Sequence, residues 1–159
     1  MDSSNVTRAI CIMNNAELNI KGLVKFEDDG NITKIWGNFS GMTPGQHGFH
    51  IHEFGNLTNA CHTAGAHYNP HKKTHGGPTD EERHVGDLGN ATANESGVIE
   101  YYLEDKLIKL TGEFSVIGRS CVIHEAVDDL GKGGFSDSLT TGHAGGRLAC
   151  GVIGITASF

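Results

Sequence analysis

Proline is scarce in this 159-residue chain, three residues against 23 glycines, and a single tryptophan stands beside seven phenylalanines and three tyrosines. So little proline excludes a proline-rich linker. Glycine at that density without a collagen period predicts tight turns and bulges between short strands. Positive charge is also in deficit: 12 Lys and Arg face 19 Asp and Glu, a formal net charge of -7 with a pI near 5.7. That balance argues against non-specific binding to nucleic acid or to an anionic membrane surface, and no basic tract offsets it locally. No run approaches the roughly 18 to 20 apolar residues that a membrane-spanning helix needs. The opening Met1-Asp2-Ser3-Ser4-Asn5 lacks the basic and apolar regions of a secretory leader, so the expected compartment is the cytoplasm. Length alone points to one domain over residues 1–159, large enough to bury a core without staples.

The four cysteines, Cys11, Cys61, Cys121 and Cys150, show no CxxC spacing, which argues against a thiolate zinc site. Cys11 and Cys121 sit amid apolar residues and read as buried thiols. Cys61 and Cys150 fall in or beside loop-like sequence, where they are free to pair or to stay reduced. Six Asn-x-Ser/Thr sequons, at Asn5, Asn31, Asn38, Asn56, Asn90 and Asn94, have little meaning in a cytoplasmic chain, and Asn38 falls inside a predicted strand.

Alternation with a period of two dominates the rest. Leu18, Ile20, Gly22, Val24 and Phe26 form one face of a half-buried strand; Asp28-Asp29-Gly30-Asn31 reads as a turn; Ile35, Gly37 and Phe39 resume the inward face, with Trp36 outward. Further strands fit 9–13, 47–52, 83–89, 97–103, 118–124 and 150–156. Eight short strands predict an all-β sandwich or flattened barrel. Two stretches, 54–82 and 125–148, resist strand assignment, and loops that long in a compact domain are commonly functional.

The chemistry lies in the histidines. His67, His75, His84 and Asp87 follow one another as His-x7-His-x8-His-x2-Asp, downstream of His50-x-His52 and upstream of a lone His124. On a strand, His50 and His52 project from one face while Phe49 and Ile51 take the other, so an extended chain offers two imidazole donors without giving up core positions. The set suffices for two metal ions of the zinc or copper type. His47 has the wrong spacing for that face and reads as a hydrogen-bonded structural residue; His62, His71 and His143 read as exposed loop residues. Gly131-Lys132-Gly133-Gly134 lacks the spacing of a phosphate-binding loop.

Three runs add a resemblance. His47-Gly48-Phe49-His50-Ile51-His52-Glu53-Phe54-Gly55, Glu82-Arg83-His84-Val85-Gly86-Asp87-Leu88-Gly89-Asn90 and Gly145-Gly146-Arg147-Leu148-Ala149-Cys150-Gly151-Val152-Ile153-Gly154 resemble the signatures of the copper/zinc superoxide dismutases, and the similarity extends from about Thr7 to Thr156. The resemblance implies an eight-stranded antiparallel Greek-key barrel with two long functional loops, and disproportionation of superoxide to dioxygen and hydrogen peroxide by copper redox cycling. It implies a copper ion held by His50, His52, His67 and His124 and a zinc ion held by His67, His75, His84 and Asp87, with His67 shared as an imidazolate. It further implies Asp128 as an acceptor linking His50 to His75, Arg147 as the anion-binding cation, and Thr141 as a residue narrowing access to the copper. A Cys61–Cys150 disulfide, a homodimer through Phe54, Gly55, Ile117, Gly118 and 152–155, and loading by a copper chaperone complete the implied picture. Two rivals are a non-enzymatic metal binder of the same fold, against which the full copper set and Arg147 argue, and a zinc hydrolase, which needs an open zinc position that four donors do not leave.

The sequence departs from the resembled pattern in the second loop, where Ser136, Asp137 and Thr140 stand at places usually holding two acidic residues and a guiding lysine. An anionic substrate of an acidic protein depends on a locally positive cleft, with Lys132 and Arg147 the expected contributors, so an uncharged Thr140 predicts weaker steering. The rate constant is expected to fall less steeply with ionic strength than in relatives keeping the lysine, and Thr140→Lys to raise the low-salt rate; identical salt slopes for the parent and the variant would refute this.

Overall fold

The computed structural model describes residues 5–159, so the reading of Met1 to Ser4 lies outside the described residues. It contains ten strands: β1 Thr7–Ile12, β2 Lys21–Asp28, β3 Thr33–Ser40, β4 Gly45–His52, β5 Thr58–Cys61, β6 Asp87–Ala93, β7 Ile99–Asp105, β8 Ser120–His124, β9 Arg147–Val152 and β10 Gly154–Thr156. Nine of them form one antiparallel sheet in the order β10-β1-β2-β3-β7-β6-β4-β8-β9. The exchange of neighbours between β3–β7 and β4–β8 makes it a Greek key. The sheet's two end strands are consecutive in the chain and separated by Ile153 alone, so the sheet curls into a nearly closed barrel. Counting β9 and β10 as one interrupted strand and setting aside the short β5 inside the first long loop leaves the eight expected from the sequence.

Boundaries differ where turns override alternation. Leu18, placed on the inward face, is 51% exposed, because Asn19 takes a left-handed φ of 55° and the chain turns before β2 begins at Lys21. The strand expected over 83–89 begins instead at Asp87. Arg83 is drawn inward there, donating to Asp105 at 2.6 Å and to the carbonyls of Pro78, His84 and Val85, contacts that a strand register would prevent. Arg147 and Leu148, read as loop, belong to β9.

Inward residues of the sheet make the core. Phe39, Phe49 and Tyr101 meet edge to face, with ring centroids 6.0 Å and 5.2 Å apart, and the Tyr101 hydroxyl donates to the Leu88 carbonyl at 2.7 Å. Trp36 points outward beside Tyr102, as its register requires. β4 and β8 are buried on both faces, Phe49 and Ile51 toward the core and His50 and His52 away from it. Tyr68 anchors the first loop: its amide donates to Ile51, its carbonyl accepts from Gly86, and its ring lies 3.9 Å beneath the Arg119 guanidinium. The Cys61–Cys150 disulfide ties that loop to β9, and Cys11 and Cys121 are buried free thiols.

The Arg83–Asp105 pair has side chains only 3% and 2% exposed. Removing one partner strands a buried charge, at a cost of about 3–5 kcal/mol. Asp105→Ala, which also takes an acceptor from the Leu107 and Ile108 amides, is expected to lower unfolding stability by that amount in a denaturant titration.

Candidate metal centre

The sequence-predicted donors converge. His50 and His52 come from β4 and His124 from the end of β8; His67, His75 and His84 come from the first long loop and Asp87 from the start of β6. All seven are buried. They fall into two groups that meet at His67. Around the Asp87 Oδ1 atom, the Nδ1 atoms of His67, His75 and His84 stand at 3.0, 3.0 and 3.1 Å, and those of His67 and His84 are 3.2 Å apart. A tetrahedral zinc site with arms of roughly 2.0–2.1 Å has edges of about 3.3 Å, so this donor spacing suits such an ion. On the other side of the His67 ring lie His50, His52 and His124, whose ring centroids are 4.0, 5.0 and 6.3 Å from it. The Nε2 atoms of His52 and His124 approach to 3.4 Å.

Hydrogen bonding fixes which nitrogen of each ring faces inward. His52 Nδ1 lies 2.9 Å from the Gly65 carbonyl, and His124 Nδ1 3.1 Å from that of Gly145. The Nε2 atoms of His50 and His75 meet the two oxygens of Asp128 at 2.6 and 2.7 Å. A carbonyl or carboxylate only accepts, so each of these outer nitrogens carries the proton and each inner one keeps a lone pair. His50 Nδ1, His67 Nε2 and His75 Nδ1 are buried without any hydrogen-bond partner. Such atoms are costly unless a cation takes their lone pairs; His50, His52, His67 and His124 form one all-nitrogen group, and His50, His67, His75 and Asp87 form one of three nitrogens and an oxygen, which His84 adjoins through His67 and Asp87.

The electrostatics agree. Burial and the neighbouring imidazoles hold His50 and His52 well below the ordinary histidine range, burial brings His124 down to about 4, and burial also lowers His67, so these rings are neutral donors at pH 7. Burial works the same way on His75, but the Asp128 and Asp87 carboxylates beside it outweigh burial and carry the group up to about 9. Burial would raise Asp87, yet the imidazoles of His67, His75 and His84 around it hold it far below the usual carboxylate range.

Asp128 lies between His50 and His75, and the backbone leaves it no slack: a Cβ on Gly142, whose φ is +71°, would collide with the Asp128 carboxylate and the His75 ring. Asn90 clasps the same residue, its Oδ1 accepting from the Asp128 amide at 2.7 Å and its Nδ2 donating to the Asp128 carbonyl at 2.9 Å. Asn90 carries no sequence signal beyond its sequon, and neither do the carbonyls of Gly65 and Gly145. Arg147 is half-buried, with Nη1 and Nη2 donating to the carbonyls of Cys61 and Gly65 at 2.8 Å each. Thr141 is exposed and its hydroxyl donates to Asp137. Lys132 is 72% exposed, with its ammonium 4.0 Å from Asp80. His47 is the structural residue it reads as: its ring nitrogens lie 2.8 Å from the carbonyls of His124 and Thr43. His62, His71 and His143 are exposed. A surface groove of about 940 Å³ beside Lys25, Trp36 and Phe159 contains none of the donors.

Residues 20–153 match the family model of the copper/zinc superoxide dismutases. The chain belongs to that family. It is similar to superoxide dismutase [Cu-Zn] A of Xenopus laevis, 55% identical over 151 residues that cover 94% of this chain and 98% of the relative. It is also similar to two extracellular superoxide dismutases [Cu-Zn]. That of Brugia pahangi is 51% identical over 94% of this chain and 76% of its own length; that of Onchocerca volvulus is 49% identical over 99% and 80%. The chain is therefore an oxidoreductase that disproportionates superoxide to dioxygen and hydrogen peroxide, with copper and zinc as cofactors. No helix of the described residues is long and apolar enough to cross a membrane.

Asp128 orients one donor of each group, and loss of such an acceptor typically costs 10- to 100-fold in metal affinity. Asp128→Ala is expected to weaken zinc retention by about that factor in a competition titration against a chelator; unchanged affinity would remove the bridge from the account.

Proposed function

We propose that His50 Nδ1 and the Nε2 atoms of His52, His67 and His124 hold the copper ion, while the Nδ1 atoms of His67, His75 and His84 and Asp87 Oδ1 hold the zinc ion. The observation that carries this assignment is His67, which directs Nδ1 at Asp87 and His84 and presents a partnerless buried Nε2 to the other three rings. When bound, copper supplies one-electron transfer to and from superoxide, and zinc supplies a fixed charge that makes deprotonation of a shared imidazole accessible. His67 Nε2 is where the chain would take up a proton and give it back to the reduced substrate, water supplying the second proton that hydrogen peroxide requires. Asp128 keeps the rings of His50 and His75 from turning during that exchange. Arg147 binds the superoxide anion: two backbone carbonyls fix its plane, and a guanidinium has further N–H donors for a small anion. Thr141 borders the approach.

Three finer points belong to the same reading. A homodimer through Phe54, Gly55, Ile117, Gly118 and 152–155 is supported by an apolar patch in which Phe54, Val152 and Ile155 are 53%, 43% and 70% exposed. A cytoplasmic setting is supported by Cys11 and Cys121, which remain thiols. Delivery by a copper chaperone is supported by the burial of His50, His52, His67 and His124.

Fully loaded protein is expected to form one hydrogen peroxide for every two superoxide consumed. Arg147→Ala should lower kcat/KM about tenfold or more while both metals stay bound. His67→Ala should lose zinc and activity together. Retention of the parent rate by Arg147→Ala would take the anion-binding role from that residue.

A further inference from the structure

The second long loop carries an assembly that the metal centre does not use. Asp137 shares its carboxylate between two residues: the His143 ring, whose Nδ1 lies 2.7 Å from Oδ1, and the Thr141 hydroxyl, which donates to Oδ2 at 3.4 Å and to the Asp137 carbonyl at 3.2 Å. On its other side the imidazole stacks on Phe135, with centroids 3.8 Å apart and planes within 10°. Phe135, Thr141 and His143 are exposed and Asp137 is partly buried, and the His143–Asp137 side chains are 48% and 44% accessible. His143 also has a left-handed φ of 56°, which a glycine would adopt at lower cost. The chain thus keeps a side chain where the backbone favours none.

The assembly is fixed to both donor groups. The Leu139 carbonyl accepts from the His75 amide at 2.9 Å, Gly142 abuts Asp128 and His75, and the Gly145 carbonyl meets His124 Nδ1. The loop that carries Asp137 is therefore pinned to the metal centre at Leu139, Gly142 and Gly145. The other charged groups of this loop and its neighbours are occupied elsewhere: Lys132 faces Asp80, Asp129 accepts from Ser138, Glu125 accepts from the Gly146 amide, and Arg147 is bound to the first loop.

We propose that His143, held in place by Phe135, cancels the charge of Asp137 and so sets the access of superoxide to the metal centre. The inference rests on the reading of this loop as the approach to Arg147. With a protonated ring the pair is neutral and the anion meets no barrier; without the ring, one uncompensated carboxylate repels it. A single exposed charge near the path changes an encounter rate by roughly twofold at low ionic strength, and by little once salt shortens the screening length to about 3 Å.

The test uses metal-loaded His143→Gly, Asp137→Asn and the double variant, assayed at about pH 6. His143→Gly is expected to melt no lower than the parent, since the backbone strain is relieved, and to keep its metals while kcat/KM falls roughly twofold at low salt. That difference should vanish near 1 M salt, and adding Asp137→Asn should restore the rate. A rate unchanged at low salt, a loss that persists at high salt, or a double variant as slow as His143→Gly overturns the proposal. Arg147→Ala is measured alongside: if that variant is also unimpaired, the reading of the approach fails, whereas an impaired Arg147→Ala beside an unaffected His143→Gly removes only the inference about His143.

Discussion

Six imidazoles and two carboxylates lie together with almost no access to water, and their lone pairs are the constraint to which the fold answers. Hydrogen bonding solves only the outer half of the problem. Gly65, Gly145 and Asp128 accept from the outward nitrogens, and every bond made there turns another lone pair inward, where the protein offers only further acceptors. A buried acceptor without a donor costs on the order of 1–3 kcal/mol, and three stand in this state at His50, His67 and His75. Cations at the two foci would resolve all of these at once, which would make the outer hydrogen bonds and the candidate metal sites one device.

The strands supply rigidity and the loops supply completeness. β4 and β8 deliver three rings on a frame whose other face is the barrel core, so movement of those rings means disturbing Phe49, Ile51 or Ile123. The remaining donors arrive from irregular backbone that would wander without anchors. Tyr68 under Arg119, Arg83 against Asp105 and Cys61 bonded to Cys150 anchor the first loop; Asn90 around Asp128 anchors the second. None of these anchors touches a proposed substrate position, yet each fixes where a donor sits.

The fold class and the donor residues were legible because both rest on local pattern: period-two alternation for strands such as β3, and the same-face projection of His50 and His52 on β4. The start of β6 was not, because Arg83 and His84 alternate with Val85 as a strand would, and only the distant Asp105 pulls the arginine inward. Leu18 misled for the opposite reason: its alternation is sound, but Asn19 turns the backbone out of the strand. At the metal centre, the chemistry of side chains could be read while that of peptide groups could not. The carbonyls of Gly65 and Gly145, and the clasp of Asn90 on Asp128, arise from contacts between residues 13 to 38 positions apart with no shared motif. The pairing of Phe135 and Asp137 with His143 is of the same kind, visible only once the loop is folded.

One last strand serves both margins of the sheet. β9 pairs with β8 and β10 with β1, and the only hinge between them is Ile153, itself almost fully enclosed and bonded through its amide and carbonyl to Arg119 and Gly118. A barrel shut by a single residue has a single seam. Detachment of the chain's final ten or so residues would therefore uncover two rows of unpaired peptide groups at the same moment, on β1 and on β8, each a template for another molecule's backbone. The hazard of self-association in this protein is concentrated at that seam.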